Sequence, residues 1–329
     1  VTPNFSDKKR KVALDFPVAS GGAQLSAMTR LADILKNNEL LETVQVNNLL
    51  PRLNAKQEGN VITPNWDVAV VRGTYKDFTF GNEQPEVKDA KIPADAEEIY
   101  FLANRSGMPL YNFWVRATDE NAAKSIRDAL ESHVRVENLR LLANAASKLT
   151  EQIQFELVRL GGYNVTDSNS TPPKCAVTPA EQNKSLQFKS GDLFYVKMTN
   201  ASEKNLYVYL YSIGTSGKIN LLYPTQNAKE TLKPNLPFTS VAASGCYGIF
   251  QVGKPEDTPL GKETLKLIAT TEPFPAELLT SPAVAKAATR DGSALSKLLS
   301  QTATNQRSGP IEISVSDWVT KDINIEIVR

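Results

Sequence analysis

Few residues in this chain belong to the types that carry out covalent chemistry. His133, in "ALESHVRVENL", is the one histidine, and Cys175 and Cys246 are the two cysteines. Nucleophilic catalysis by Ser–His or Cys–His needs a base within hydrogen-bond reach of the nucleophile, so any such machine has to recruit His133. No motif surrounds that residue, and its setting reads as a surface or half-buried helix histidine. One His and two distant Cys do not make the usual four-ligand zinc set. The cysteines admit two readings: unconnected thiols, or a Cys175–Cys246 disulfide if the parent protein lives outside the cytosol. "GIFQVGKP", Gly248 to Pro255, has phosphate-loop spacing up to its lysine. Pro255 then stands where Ser or Thr would hold magnesium, and strand formers lie between the glycines, so the match is rejected. The acids of "ADAEE" read as a solvated charge run. No catalytic, metal or cofactor-binding residues are expected.

The remaining candidate is a row of tyrosines. In "NLYVYLYSI", Tyr207, Tyr209 and Tyr211 share one face of an alternating segment, and Leu206, Val208 and Leu210 share the other. Tyrosine is favoured at binding surfaces, because it gives wide contact at low entropic cost. It is also common on sheets that are simply covered. The row is thus a candidate binding face, with plain packing as its competitor.

The elements that must position these residues fall into two halves, as a chain of 329 residues leads one to expect. Residues 1–162 read as an α/β unit. "VALDF" and "WDVAVVRGTY" are strands, the latter apolar on both faces, and "GAQLSAMTRLADILKNN" is a helix with Leu25, Met28, Leu31, Ile34 and Leu35 on one side. "EIYFL" and "YNFWVRA" are further strands. Two long helices then close the unit. Thr118 or Asp119 caps the first, and Leu139, Leu142, Ala146, Leu149, Ile153, Leu157 and Leu160 form the stripe of the second, ended by Gly161 and Gly162. Polar, proline-broken text makes 163–185 a linker. From 186 to 329 the period changes to two. "LFYVKMT", "NLYVYLYSI", a "GTSGK" turn, "INLLYP", "YGIFQV", "TLKLIAT", "IEISV" and "INIEIVR" make a β-rich accessory domain, an antiparallel sandwich or barrel with the helical insert "DGSALSKLLSQTA".

Lys and Arg total 37 against 36 for Asp and Glu, a net charge of +1. That balance lacks the basic excess of a nucleic-acid binder, and the run Lys8–Lys11 reads as a solvated arm. No apolar stretch approaches the ~20 residues that span a bilayer. The opening "VTPNFSDKKRK" has neither a start methionine nor a signal-peptide core, so the chain reads as a processed product or a piece of something longer. Cytoplasmic and exported locations both remain open.

The second half resembles a bacterial domain of unknown function that often follows a caspase-like peptidase domain. The resemblance rests on "FKSGDLFYVKM", "LYVYLYSIGTSGKINLLYP", "PLGKETLKLIATTEPFP" and "SDWVTKDINIEIV" in that order. Its marks are Gly191-Asp192, Gly217-Lys218, Leu221 to Pro224, and Pro259 to Glu263. The first half is similar to the segment between peptidase and accessory domain, through "WDVAVVRGTY", "EIYFLANRSGMPLYNFWV" and "VRVENLRLLAN". Caspase-like enzymes carry a His-Gly and an Asp-x-Cys strand end, and this chain has neither. The resemblance therefore implies the non-catalytic, regulatory or target-binding region of such a peptidase. The peptidase domain would be its partner in cis, and a further protein its target. The related domain also occurs beside envelope modules, so the alternative is a free-standing envelope or carbohydrate-binding module.

Overall fold

The computed structural model describes residues 9–15, 27–38, 41–46, 49, 64–79, 94, 96–180, 186–214, 217–224, 231–253, 261–280, 294–304, 314 and 316–328. The chain is β-rich with several helices, an α+β protein, and divides into two compact units, Ser6–Arg135 and Val136–Arg329.

The first unit is a mixed sheet clothed on both faces. Its strands are β1 (Arg10–Asp15), β2 (Leu41–Val46), β3 (Val68–Thr74), β4 (Glu98–Asn104) and β5 (Pro109–Arg116), in the order β2-β1-β3-β4-β5. β1 runs parallel to β2 and β3, while β3, β4 and β5 alternate in direction. The continuous apolar run of β3 follows from this two-sided burial. Val68 and Val70 join the core made with helices α1 (Ala27–Leu35) and α3 (Ala122–Leu141). Ala69 and Val71 join the opposite core, with Trp66 and with Phe78 of the short helix α2 (Tyr75–Thr79). Met28, Leu31 and Leu35 are buried as the helical spacing predicts, whereas Ile34 is 41% exposed. Asp119 accepts from the Asn121 amide at 2.8 Å, just before α3.

The second unit holds two sheets. One has β11 (Ile219–Tyr223), β10 (Leu206–Ile213), β15 (Gly261–Thr270), β16 (Trp318–Val328) and β8 (Gln187–Lys189) side by side, with β12 (Thr231–Leu232) also on β10. The other is β13 (Phe238–Thr239), β9 (Leu193–Asn200), β6 (Ile153–Asp167) and β7 (Lys174–Pro179), with β14 (Phe250–Gln251) also on β9. Period-two side chains from both sheets meet in one core, among them Leu157, Val196, Val208, Leu210, Leu267 and Ile325. Gly217, with φ of 71°, supplies the left-handed residue of the β10–β11 turn. The expected helical insert is present as helix α5 (Ala294–Thr304). Of the "IEISV" segment only Ser314 is among the described residues, and it is not in a strand.

Two expectations are corrected. The second long helix does not form. α3 ends at Leu141, a single turn, α4 (Leu149–Gln152), follows, and Ile153–Asp167 is strand β6. "IQFELVRL" fits a three-and-four spacing and a period of two equally well. Pairing with β9, from Ile153↔Asn200 to Arg159↔Phe194, decides for the strand. Residues 163–180 are likewise no linker. β6 continues to Asp167, and β7 returns along it from Lys174 to Pro179. Gly161 marks a register shift between Leu160 and Gly162, the use of glycine at a strand bulge rather than at a helix end. The division between compact units falls after Arg135, not at Gly162.

Over β10 and the Leu265–Thr270 part of β15 the outer face of the β10–β15–β16 sheet is also covered, whereas Asp322, Asn324 and Glu326 of β16 are exposed there. Lys266 points to that side and is fully buried, with Nζ donating to the Leu142 carbonyl at 3.0 Å and to Asp322 at 2.7 Å. Burial pushes its ammonium below the usual lysine value, and Asp322 opposes the shift. Asn144 donates to the Trp318 carbonyl at 2.9 Å. The segment after α3 is thus tied to the sheet by two side chains of complementary kind. Lys266→Ala empties a buried site and leaves the Leu142 carbonyl without its donor, while Asp322 stays solvated, so it is expected to cost about 2 kcal/mol in urea unfolding, with Lys266→Met costing clearly less.

Glu263 offers a pH test. Burial raises its carboxyl above the ordinary value, against the opposing hydrogen bond from Ser212. The folded state therefore holds this proton more tightly than the unfolded chain does. Its contribution is complete below the ordinary carboxylate value and is lost as pH rises through the raised one. Glu263→Gln should raise the melting temperature at pH 7 and flatten that decline. An unchanged pH profile would remove Glu263 as its source.

Candidate functional site

The tyrosine row is packed, which corrects the candidate binding face. Tyr209 is 5% exposed and Tyr211 wholly buried, and only Tyr207 is partly open. The Tyr209 ring stacks on Phe274 at 3.8 Å between centroids. Its hydroxyl donates to the Phe274 carbonyl and accepts from the Phe274 amide, both at 2.9 Å. Tyr211 donates to the Ala276 carbonyl at 2.8 Å. Burial raises both phenols above their ordinary value, Tyr211 furthest. Wherever a sheet's second face is covered, a tyrosine serves as a long apolar residue whose hydroxyl ties down the covering loop.

The other candidates also find structural places. His133 is buried on α3. Glu97 of the acidic run accepts from Arg116 at 2.6 Å and Glu98 from Arg72 at 2.7 Å, so this text is ion-paired rather than simply solvated. In the rejected phosphate loop, Phe250 and Gln251 pair with β9, and a Cβ on Gly248 would stand 2.0 Å from the Ser240 carbonyl oxygen. Among the described residues no three His, Cys, Asp or Glu side chains gather as a metal site would require.

Cys175 and Cys246 are joined in a disulfide across a separation of 71 residues, so the oxidised chain presents neither as a thiol. In the loop-entropy account a closure of that length contributes roughly 4 kcal/mol. The bond lies where the structure has least else to hold it. β6 pairs with β9 only as far as Arg159, and from Leu160 onward its partner is β7. Residues 161–167 and 174–179 form a two-stranded arm whose side chains are mostly exposed or half-buried. Its root packs on a small cluster of Val158, Leu160, Tyr195 and Val241, to which Cys175 and Val177 add their inner sides.

Across from β7 a 3₁₀ turn, Gly245–Gly248, brings Cys246 into place. The Cys246 amide donates to the Pro173 carbonyl at 2.8 Å, alongside the disulfide. Gly245 makes that approach possible. Its φ is +55°, and a Cβ there would sit 2.1 Å from the Pro173 oxygen. Ser240 locks the turn from behind, donating to the Gly248 carbonyl at 2.6 Å and accepting from the Val196 amide at 3.1 Å.

The arm carries exposed apolar groups together with an open strand edge. Tyr163 is 46% exposed and Val165 54%, and they pair across the ladder with Val177 and Cys175. Tyr247, beside the disulfide, is 50% exposed. Among the described residues β7 pairs with β6 alone, so its other edge offers backbone donors and acceptors. Register shifts bound the regular stretch, from Gly162↔Thr178 to Val165↔Cys175. Lys174 and Pro179 flank it, residues that commonly limit edge pairing, and Cys175–Thr178 between them is uncharged. The cysteines were the only sequence signal for this place.

Burial of the tyrosines has a direct consequence. Replacing Tyr209 and Tyr211 together by Ser should cost at least about 5 kcal/mol and unfold the second unit near room temperature, read by circular dichroism and urea titration. A stable double variant would mean that the row is not core.

The chain matches no protein-family model, and comparison with curated proteins likewise finds no match.

Proposed function

We propose that this chain is the non-catalytic, target-binding region of a larger protein that works in an oxidising compartment, with the β6–β7 arm as its binding surface. The observation carrying this reading is a disulfide-fastened strand with one edge unpaired among the described residues. An open edge has one natural complement, an extended polypeptide that adds a strand to it through main-chain hydrogen bonds. Exposed Tyr163, Val165 and Tyr247 supply side-chain contact beside that ladder. Disulfides persist in secreted and periplasmic proteins and are rare in the cytosol, which supports an exported parent.

The sequence resemblance makes that parent a caspase-like cysteine peptidase, for which the arm would recruit extended segments of a protein target. In this reading the second unit is a β-sandwich accessory domain and the peptidase domain is a partner in cis. The even charge balance supports no role for nucleic acid, and no helix among the described residues is long and apolar enough to cross a membrane. The disulfide also favours a second parent, a free-standing envelope or carbohydrate-binding module, since it needs only export.

Fluorescently labelled β-casein, an unfolded protein rich in extended segments, serves as the probe. The oxidised chain should bind it. Ala176→Lys/Thr178→Lys, which charges only exposed edge positions, should weaken binding about tenfold without changing the melting temperature. Binding to an insoluble cell-wall glycan and not to casein would favour the second parent. Equal casein binding by the variant would overturn the arm as the surface.

A further inference from the structure

We infer that thiol–disulfide exchange at Cys175–Cys246 switches the arm between an ordered and a released state. This rests on the preceding reading for its biological purpose, but not for its mechanism. The structure separates what holds the arm from what holds the rest of its unit. The shared two-sheet core draws on β6 only through residues up to Leu157, while Val158 and Leu160 belong to the small cluster at the arm's root. Beyond that root the arm is a hairpin, and an isolated two-stranded hairpin is marginal in water. It is fastened to the remainder by the inner sides of Cys175 and Val177 on that small cluster and, at the 3₁₀ turn, by the disulfide and the Cys246-to-Pro173 hydrogen bond side by side.

The bond is also within reach of a reductant. Both cysteines are partly exposed, and Cys175 lies on the edge strand. A small dithiol, or the dithiol of a reductase, supplies the electrons. Its thiolate attacks one sulfur, forming a mixed disulfide and releasing the other cysteine as thiolate. The reductant's second thiol then displaces the protein sulfur, leaving the reductant as its own disulfide and Cys175 and Cys246 as two thiols. Freed of the bond, β7 is tied to the 3₁₀ turn by a single backbone hydrogen bond at an exposed rim. The open edge then loses its fixed position, and strand addition would require a partner to order the arm as it binds.

Hydrogen exchange with mass-spectrometric readout on the whole chain tests this, oxidised and after reduction with tris(2-carboxyethyl)phosphine, together with Cys175→Ser/Cys246→Ser. On reduction the amides of 161–180 should exchange at nearly the free-chain rate, while those of Ile153–Arg159, Leu206–Ile213 and Gly261–Thr270 stay strongly protected, quickened by no more than the roughly 1000-fold that loss of the closure gives through global unfolding. The double Ser variant should match the reduced chain. Equal protection of the arm in both states would overturn the proposal. So would free-chain exchange in those three strands as well, because the whole unit would then open with the bond. Casein binding is measured in parallel. A released arm with no casein binding by the oxidised chain would leave the switch standing and sink the binding reading.

Discussion

Strand β10 and the Leu265–Thr270 part of β15 are buried on both faces, and most of the second unit's design follows from the need to pair every polar group they carry. On the inner side the solution is simple, with Leu206, Val208, Leu210, Leu265, Leu267 and Ala269 meeting the other sheet. The outer side carries Tyr209, Tyr211 and Lys266, none of which survives burial alone. Each is matched to a carbonyl of the covering segments, at Phe274, Ala276 and Leu142, and Lys266 gains Asp322 as well. The cover is therefore specific. A purely apolar face would accept many packings, whereas three fixed donors accept one arrangement of acceptors.

This explains why the most conspicuous sequence feature is the least available for binding. Alternation in "NLYVYLYSI" announces a strand and assigns its two faces, but it does not say whether either face meets water. That depends on Phe274 and the residues that follow it, more than sixty positions away. With both faces of these central strands engaged, the perimeter is what remains for recognition. Most perimeter strands are short: β8 has three residues, and β12, β13 and β14 have two each. β7 is longer, and it alone carries the disulfide.

Legibility from sequence followed the same division between local and distant causes. β3, β9, β10 and β15 were readable because their periodicity is produced by their own burial, whereas α3 runs on through Leu139, which the spacing assigns to a second helix. β6 was not, since Ile153, Leu157 and Leu160 satisfy a helical stripe as well as a strand, and only the distant β9 removes the ambiguity. The arm was missed for a different reason. "YNVTDSNSTPPKCAVTP" is polar because the arm is exposed on most of its surface, and such a strand lacks the hydrophobic pattern by which strands are recognised. The two cysteines were visible from the start. Their meaning depended on a 3₁₀ turn bringing Cys246 against β7, which no local pattern announces.

The placement of the disulfide then has a physical logic. A cross-link contributes to stability largely by narrowing the unfolded ensemble, and that contribution depends on loop length far more than on where in the fold the bond sits. What location governs is which native segment loses its fixed position when the bond opens. In a well-packed core the answer is almost none, because close-packed neighbours hold the chain without it. At the β7 rim the neighbours are few and the packed cluster is small, so the same chemical event is felt as a change of local structure. Gly245 and Gly248 reinforce this, since both are committed to approaches that any side chain would block. Opening the bond lowers the stability of the whole unit through its unfolded ensemble, but the native structure it changes is that of the exposed strand, because a large core holds the rest in place.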